Sequence, residues 1–190
     1  MSRLKDLIDK LCPHGVEFKK IYEITKYEQP DNYIVKSTDY NDNFHIPVLT
    51  AGQSFILGYT NEEKGIYQAT PDKPVIIFDD FTGSFKWVDF PFKIKSSAIK
   101  IITVKEEFIL IRYLFHIMGQ INFTSSEHRR LWIETYSNFK IPLPPIEVQK
   151  EIVRILDTFT ELTAELTAEL TLRKKQYEYY RDKLLTFKEQ

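Results

Sequence analysis

The segment Pro142-Leu-Pro-Pro145 is followed by Ile146–Gln190, IEVQKEIVRILDTFTELTAELTAELTLRKKQYEYYRDKLLTFKEQ, which contains neither Pro nor Gly. Proline is tolerated in the first turn of a helix and disrupts its interior, so the two last prolines indicate a helix start. A helix of some forty residues is a rod of roughly 60 Å, at about 1.5 Å per residue. The sequence therefore predicts two parts, a body (residues 1–143) and a rod (residues 144–190).

Apolar side chains recur along the rod at spacings of three and four residues, the pattern of a heptad seam. The seam consists of Ile152, Ile155, Phe159, Leu162, Leu166, Leu170, Tyr177, Tyr180, Leu184 and Phe187, with Arg173 as a polar interruption. The duplication of Thr163-Ala-Glu-Leu166 as Thr167-Ala-Glu-Leu170 adds a stutter, which locally unwinds a supercoil. The body offers no second helix of this length, so we expect the rod to pair with another chain. The predicted contacts are Leu162, Leu166, Leu170, Tyr177, Tyr180 and Leu184.

Two simpler explanations of the rod remain open. Its periodicity alone favours a generic homodimeric coiled coil. The duplication is also explained by replication slippage in an exposed helix that tolerates insertions.

The body alternates between two kinds of pattern. Leu4, Leu7, Ile8 and Leu11 have helical spacing and predict a short amphipathic helix over residues 3–11. Short β-branched and aromatic runs separated by turn residues predict strands. These runs are Ile46–Thr50, Phe55–Tyr59, Val75–Phe78, Phe85–Val88 and Ile99–Val104. A second helix is expected over 107–119, and strands and turns over 121–141. The fold class is therefore α+β, a strand-rich body before one long C-terminal helix.

Composition excludes several classes of protein. A hydrophobic content of 43% fits a folded chain, and a net charge of −1 gives no global basic signal for nucleic acid. Cys12 is the only cysteine, which excludes an internal disulfide and a multi-cysteine metal site. The first residues lack an apolar signal core, and no apolar run is long enough to cross a bilayer. We expect a cytoplasmic protein without a membrane partner.

Catalytic patterns are missing from the sequence. It has no Gly-x-Gly-x-x-Gly or phosphate-binding loop, no Gly-x-Ser-x-Gly elbow, and no histidines at metal-ligand spacing. Asp79 and Asp80 weakly resemble a metal-dependent nuclease centre, but the acidic-x-Lys partner is absent around Lys86. Turn-forming carboxylates are the commoner explanation. We expect no catalytic residue and no metal site.

Polar and basic side chains in the body suit contacts with DNA. A strand face that carries Lys93 and Lys95, with Lys86 and nearby hydroxyls, would suit phosphates, although a solvated face has the same pattern. Gln53 could pair with adenine and Arg129 or Arg130 with guanine, although the arginines could instead pair with Glu127 or Glu134. The candidate DNA contacts are Gln53, Thr82, Ser84, Lys86, Lys93, Lys95, Ser97, Arg129 and Arg130.

The ordered segments of the chain resemble the specificity subunit of type I restriction–modification systems, in a half-length form with one target-recognition domain. The segments that carry the resemblance are Cys12-Pro-His-Gly-Val-Glu-Phe18, Ile46-Pro-Val-Leu-Thr-Ala-Gly52, Phe92-Lys-Ile-Lys-Ser-Ser-Ala98, His128-Arg-Arg-Leu-Trp132 and Lys140-Ile-Pro-Leu-Pro-Pro-Ile-Glu-Val-Gln-Lys-Glu-Ile-Val153. The last segment, with Ile155-Leu-Asp157 after it, is the most specific. The duplicated Thr-Ala-Glu-Leu unit is similar to spacer repeats of this family.

The resemblance implies a DNA-binding subunit without catalysis of its own. The usual family member has two recognition domains and two antiparallel helices, and each domain binds one half of a split DNA site. One domain and one helix would have to dimerise to restore that arrangement, which makes the site palindromic. The expected partners are double-stranded DNA, modification subunits, a restriction/translocase subunit and a second copy. S-adenosylmethionine, ATP and magnesium are expected in the partner subunits and none in this chain.

Three alternatives to an active half-subunit remain. The chain could be a truncated or silent cassette. It could be a coiled-coil dimer whose strand-rich head binds something other than DNA. It could also be the metal-dependent nuclease that Asp79 and Asp80 weakly suggest.

Overall fold

A computed structural model of the chain describes residues 3–52, 54–105, 107–121 and 130–187. The helices are α1 (Arg3–Leu11), α2 (Ile21–Ile24), α3 (Ile111–Met118) and α4 (Ile146–Leu185). The strands are β1 (Glu17–Lys20), β2 (Thr25–Glu28), β3 (Ile46–Leu49), β4 (Ile56–Thr60), β5 (Val75–Asp79), β6 (Phe85–Val88), β7 (Lys93–Ile94), β8 (Ile99–Val104) and β9 (Lys140–Leu143). The fold is α+β, as the sequence predicts.

The central sheet of the body is antiparallel, with strand order β2-β8-β5-β6. Successive side chains of a strand point to opposite faces, so the apolar run of β5 serves two cores. Ile76 and Phe78 pack on one face with α3, Trp132 and Tyr136. Ile77 packs on the other face. Burial on both faces explains why β5 is apolar from Val75 to Phe78 and does not alternate with polar residues.

A second sheet of three strands, in the order β4-β3-β7, covers the other face of the central sheet. Its strand β3 pairs antiparallel with β4 and parallel with β7. Leu49 and Ile94 are fully buried between the two sheets. The remaining strands, β1 and β9, pair with each other and tie the beginning of the body to its end.

The first three turns of α4 pack against the body. Val148 and Gln149 are buried. The side-chain oxygen of Gln149 accepts a hydrogen bond from the N–H of Leu110 (3.0 Å), and its Nε2 donates to the carbonyl oxygens of Phe108 and Pro144 (2.8 Å each). A buried amide with these bonds satisfied fixes the direction in which the helix leaves the body.

The remainder of α4 projects into solvent. Asp157 is the last residue tied to the body: its Oδ1 accepts a hydrogen bond from Arg112 Nε (2.9 Å) and lies 2.7 Å from His116 Nε2. Every residue from 158 to 187 is exposed. We call residues 158–185 the free rod, which is roughly 42 Å long at about 1.5 Å per residue.

The structure confirms most of the predicted elements and shortens one. The helix over 3–11 is present, and the five predicted strands are present to within one residue at either end. The helix predicted over 107–119 begins at Ile111, because Leu110 has an extended backbone (φ −80°, ψ 128°) and is the N-cap residue. Between 130 and 141 turns dominate, with a 3₁₀ turn over Tyr136–Asn138 and the start of β9. The division at residue 143 stays a prediction, and α4 itself begins at Ile146.

Candidate nucleic-acid interface

Four connecting segments meet at one end of the two sheets. The N–H of Lys95 donates to the carbonyl oxygen of Leu49 (3.1 Å), which joins the end of β7 to the end of β3. The N–H of Asp80 donates to the carbonyl oxygen of Ala98 (2.9 Å), and its own carbonyl oxygen accepts from the N–H of Leu131 (2.8 Å). We call these segments, residues 50–52, 79–84, 95–98 and 130–132, the loop edge.

Several of the predicted DNA contacts come together at the loop edge. Thr82, Ser97 and Arg130 are exposed there, and Ser84 and Lys95 are half-exposed. Gln53 and Arg129 lie outside the described residues. The described hydroxyls and cations are contributed by segments far apart in sequence, and the fold brings them to one surface.

Lys93 corrects one of the predictions. It was expected on an exposed strand face beside Lys95, but it is buried, with 2% of its side chain exposed. Its Nζ donates to the carbonyl oxygens of Lys64 (2.7 Å) and Gly65 (3.0 Å) and lies 3.2 Å from Glu62 Oε2. Strand β7 is only two residues long, so Lys93 and Lys95 do not share a face. Lys93 is a structural cation, and the assignment as a phosphate contact was wrong.

Glu62 is held ionised by the partners of this structural cation. Burial alone would raise the pKa of its carboxyl group. The backbone N–H groups of Ser37 and Lys36 and the ammonium of Lys93 outweigh that effect and lower the pKa below its ordinary value. The cluster ties the segment before β3 to the segments after β4 and at β7.

Lys86 lies apart from the loop edge. It is half-exposed on β6 and pairs with Ile77 of β5, which lies two residues before the end of that strand. Its neighbours Phe85 and Trp87 pack against Phe115 on the α3 side, so Lys86 points to the other face of the sheet.

A buried ion pair holds the loop edge to the central sheet. Lys100 Nζ lies 3.1 Å from Asp80 Oδ2, both side chains are almost fully buried, and the pair lacks the alignment of a hydrogen bond. Lys100 Nζ also donates to Gln29 Oε1 (3.0 Å), and Asp80 Oδ1 accepts from the N–H of Trp132 (2.7 Å). Sequence reasoning missed this pair, although a lysine inside the apolar run Ile99–Val104 was the available signal.

The two aspartates that suggested a nuclease have separate structural tasks. Asp80 faces Lys100, whereas Asp79 Oδ1 accepts hydrogen bonds from the N–H groups of Phe81 and Thr82. Over the described ranges, no cluster of three or more His, Cys, Asp or Glu side chains is placed to hold a metal ion. This geometry does not favour the nuclease hypothesis.

An aromatic ring contacts Lys95, one of the two cations of the loop edge. The ammonium of Lys95 lies 5.7 Å from the ring centroid of Tyr40, within the range of a cation–π contact. A Cβ at Gly58 would approach Cβ of Tyr40 to 2.7 Å, so only glycine leaves room for that ring. Sequence reasoning missed Tyr40, since nothing in the sequence indicates its proximity to Lys95.

The predicted dimer contacts are all exposed on the free rod. Their exposed fractions run from 47% at Leu162 to 68% at Leu184, which is unusual for so many large apolar side chains on one helix. The full set is Leu162, Leu166, Leu170, Tyr177, Tyr180 and Leu184.

The two halves of the free rod carry opposite charge. Residues 158–171 contain three glutamates and no basic residue. Residues 172–185 contain five basic and two acidic residues, a net charge of +3. The acidic side chains of the first half are Glu161, Glu165 and Glu169, and the basic ones of the second half are Arg173, Lys174, Lys175, Arg181 and Lys183.

The sequence identifies the class of protein to which this fold and surface belong. The family model for the type I restriction modification DNA specificity domain matches residues 13–172, so the chain belongs to that family. The specificity subunit of the type I restriction enzyme EcoR124I/EcoR124II from Escherichia coli is 55% identical, over all of this chain and 48% of that protein. The EcoprrI specificity subunit from Escherichia coli is 45% identical over 42% of this chain and 24% of that protein.

Solved structures have the same fold. The S subunit of a type I restriction-modification system from M. genitalium superposes with a TM-score of 0.63 at 13% identity, over 91% of this chain and 47% of that one. The HsdS subunit from Thermoanaerobacter tengcongensis gives a TM-score of 0.53 at 15% identity, over 87% and 44%. The chain thus spans about half the length of the EcoR124I/EcoR124II subunit and of both solved subunits.

Within the described ranges, no helix is both long enough and apolar enough to span a bilayer.

Proposed function

We propose that this chain is the DNA-reading half of a type I specificity subunit, and that two copies pair through their free rods to bind a two-part site. The observation that carries the proposal is a body with a polar and basic loop edge attached to a rod with an uncovered apolar seam. Family membership supports DNA as the ligand. The seam supports a second copy as the partner, because a continuous row of exposed large apolar side chains marks an interaction surface.

The charges of the free rod favour an antiparallel pair. In a parallel pair, the acidic halves would lie side by side and the basic halves would repel each other. In an antiparallel pair, each acidic half lies against the basic half of the partner. Opposite charges in the flanking positions of a coiled coil set the orientation of its helices in this way.

Antiparallel pairing with complete overlap of the free rods also brings most seam positions together. When the two free rods overlap completely, Phe159 faces Leu184 of the second copy and Leu166 faces Tyr177. At the centre, Leu170 faces Arg173. A polar residue in a seam lowers the stability of the pair, so Arg173 would make the centre of this interface weaker than its ends. Within one chain, the Arg173 guanidinium already lies 3.6 Å from Glu169, which provides its counter-charge.

Two-fold symmetry determines the form of the DNA site. Each body would present its loop edge to one half-site, and identical bodies would bind identical half-sites in opposite orientation. The length of the paired rods would set the gap between the half-sites.

The chemistry of the complex would belong to other subunits. We propose that the paired chains direct adenine methylation by modification subunits and cleavage by a restriction/translocase subunit, without a catalytic residue of their own. S-adenosylmethionine, ATP and magnesium would then bind to those partners. Such an assembly would act on cellular DNA in the cytoplasm.

The direct test is binding and modification with the cognate modification subunit present. The chain should behave as a dimer in light scattering, should shift duplex DNA in a gel, and should direct methylation to a palindromic site interrupted by a gap of unspecified bases. A stable dimer without sequence-specific DNA binding would support a non-DNA interaction protein. A monomer that does not bind DNA would support a silent cassette.

A further inference from the structure

The turn between β5 and β6 places an exposed aromatic ring on the loop edge. Phe81 lies at the tip of this turn with 43% of its surface exposed, next to the exposed hydroxyl of Thr82. A half-exposed phenylalanine is unremarkable by itself. Its position on the surface proposed to face DNA is what gives it a function.

The turn that carries this ring is rigid. Asp79 Oδ1 accepts hydrogen bonds from the N–H groups of Phe81 (2.9 Å) and Thr82 (3.0 Å). Gly83 has a φ of +72°, which favours glycine, and its N–H donates to the carbonyl oxygen of Asp79 (2.9 Å). The turn closes where the N–H of Asp79 donates to the carbonyl oxygen of Ser84 (2.8 Å). A backbone held in this way loses little conformational freedom on binding.

The backbone of the turn has no donor left for a phosphate. All six N–H groups of residues 79–84 donate within the protein: those of Asp79 and Gly83 inside the turn, that of Asp80 to Ala98, those of Phe81 and Thr82 to Asp79, and that of Ser84 to Thr82 Oγ1. Anion cradles are built from free N–H groups, so this turn is not one. What it presents to DNA is side chains, and the largest of them is apolar.

The apolar group that a base pair exposes in the major groove is the 5-methyl of thymine. The groove is about 12 Å wide. The part of the β5–β6 hairpin that can enter it is the exposed turn, because β5 also pairs with β8 and is buried on both faces. Resting on the function proposed above, we propose that Phe81 contacts the 5-methyl group of a thymine in each half-site. Lys95 and Arg130, on the same edge, would hold the neighbouring phosphates.

Replacing thymine by uracil, which lacks only that methyl group, tests the contact. Each thymine of the mapped site is replaced in turn in both half-sites, and the affinity of the chain with its modification subunit is measured. Wild type should lose about fourfold per half-site at one position, the effect of one methyl-sized group removed from an apolar contact. Phe81→Ala should bind normal DNA more weakly and be indifferent to uracil at that position. Phe81→Leu should keep part of the methyl dependence.

A matched control is available at the opposite end of the central sheet. Phe108 follows the far end of β8 and has the same exposed fraction, 43%. Phe108→Ala should therefore retain the full methyl dependence. Both alanine variants should unfold at the wild-type temperature within a few degrees, which separates a lost contact from a damaged fold.

Three results would overturn the contact. They are a site without thymine in its half-sites, a wild type indifferent to uracil at every position, or a Phe81→Ala variant with undiminished methyl dependence. A DNA bend that disappears in Phe81→Ala without methyl dependence would show a wedge between base pairs instead. If wild type lacks sequence-specific binding altogether, the proposed function fails and the thymine contact fails with it.

Discussion

The body and the free rod treat their side chains in opposite ways. The body buries even charged groups, such as Lys93 and Lys100, and gives each of them a partner within the chain. The free rod leaves leucines and tyrosines in water. Burial of apolar surface is the main stabilising term of a fold, so the body has a core of its own, whereas the rod has an apolar surface that the proposed pairing would cover. The same chain thus combines a packed body with an exposed apolar seam.

The largest effect is expected from substitutions in the exposed seam of the free rod. Replacement of Leu166 and Leu170 by Lys should abolish dimer formation in light scattering, because four ammonium groups would enter the seam of the pair. Leu172→Lys is the control, since Leu172 has the same exposed fraction as Leu166 (66%) but lies off the seam. Loss of the dimer in the control as well would show that the seam is not the interface.

The buried pair of the body gives the next largest effect. Lys100→Met should lower the free energy of unfolding by about 3–5 kcal/mol, because Asp80 stays buried without its counter-charge. Asp80→Asn combined with Lys100→Met should recover most of this loss. The half-exposed Lys86→Met should change stability by less than about 0.5 kcal/mol. Equal losses in Lys100→Met and Lys86→Met in denaturant unfolding would contradict a structural role for the pair.

Two lysines separated by one residue should respond oppositely to alanine. Lys93→Ala should lower stability by about 1–3 kcal/mol, because it strands the Glu62 carboxylate and two carbonyl oxygens. Lys95→Ala should leave stability nearly unchanged but reduce the salt dependence of DNA binding, by a slope of up to about 0.9 per lost phosphate contact. The comparison fails if Lys93→Ala is as stable as wild type or Lys95→Ala keeps the full salt slope.

The smallest effect concerns acid. The pKa of Glu62 is lowered on folding, so its contribution to stability is complete above the ordinary pKa of 4.5 and is lost as pH falls through the lower folded value. The wild-type protein should therefore be less stable in this acid range, as measured by thermal unfolding. In Glu62→Gln, the loss of stability due to this carboxyl group should vanish, while the losses due to other carboxylates persist. An identical pH profile for the two proteins would exclude Glu62 as a contributor.

The sequence was sufficient for the parts of the fold that follow from local patterns. The apolar runs of β5 and β8 and the periodicity of α4 are visible within short windows, and the structure confirms them. The family resemblance is also confirmed, because the family model matches residues 13–172 and a specificity subunit is 55% identical over the whole chain. The coiled coil between two copies stays a prediction, which the exposed seam supports.

The candidate site was only partly predictable, because it depends on contacts between distant residues. Strand alternation suggested an exposed Lys93, but the residues that bury it, Glu62 and Gly65, lie about thirty positions earlier. The contact between Tyr40 and Lys95 was missed for the same reason, because the two residues are far apart in the sequence. Phe81 was overlooked because an apolar residue in a turn resembles ordinary core sequence until the structure shows it exposed.

The most direct test of the account is methylation-site mapping with wild type and with a deletion of Thr167-Ala-Glu-Leu170. The deletion restores the alternation of three and four along the seam and shortens the rod by about 6 Å. Wild type should modify a palindromic site with a central gap. The deletion variant should modify the same half-sites with the gap shortened by one or two base pairs, at about 3.4 Å per pair. An unchanged gap, or altered half-sites, would contradict the claim that the rod measures the distance between two identical bodies that recognise the bases.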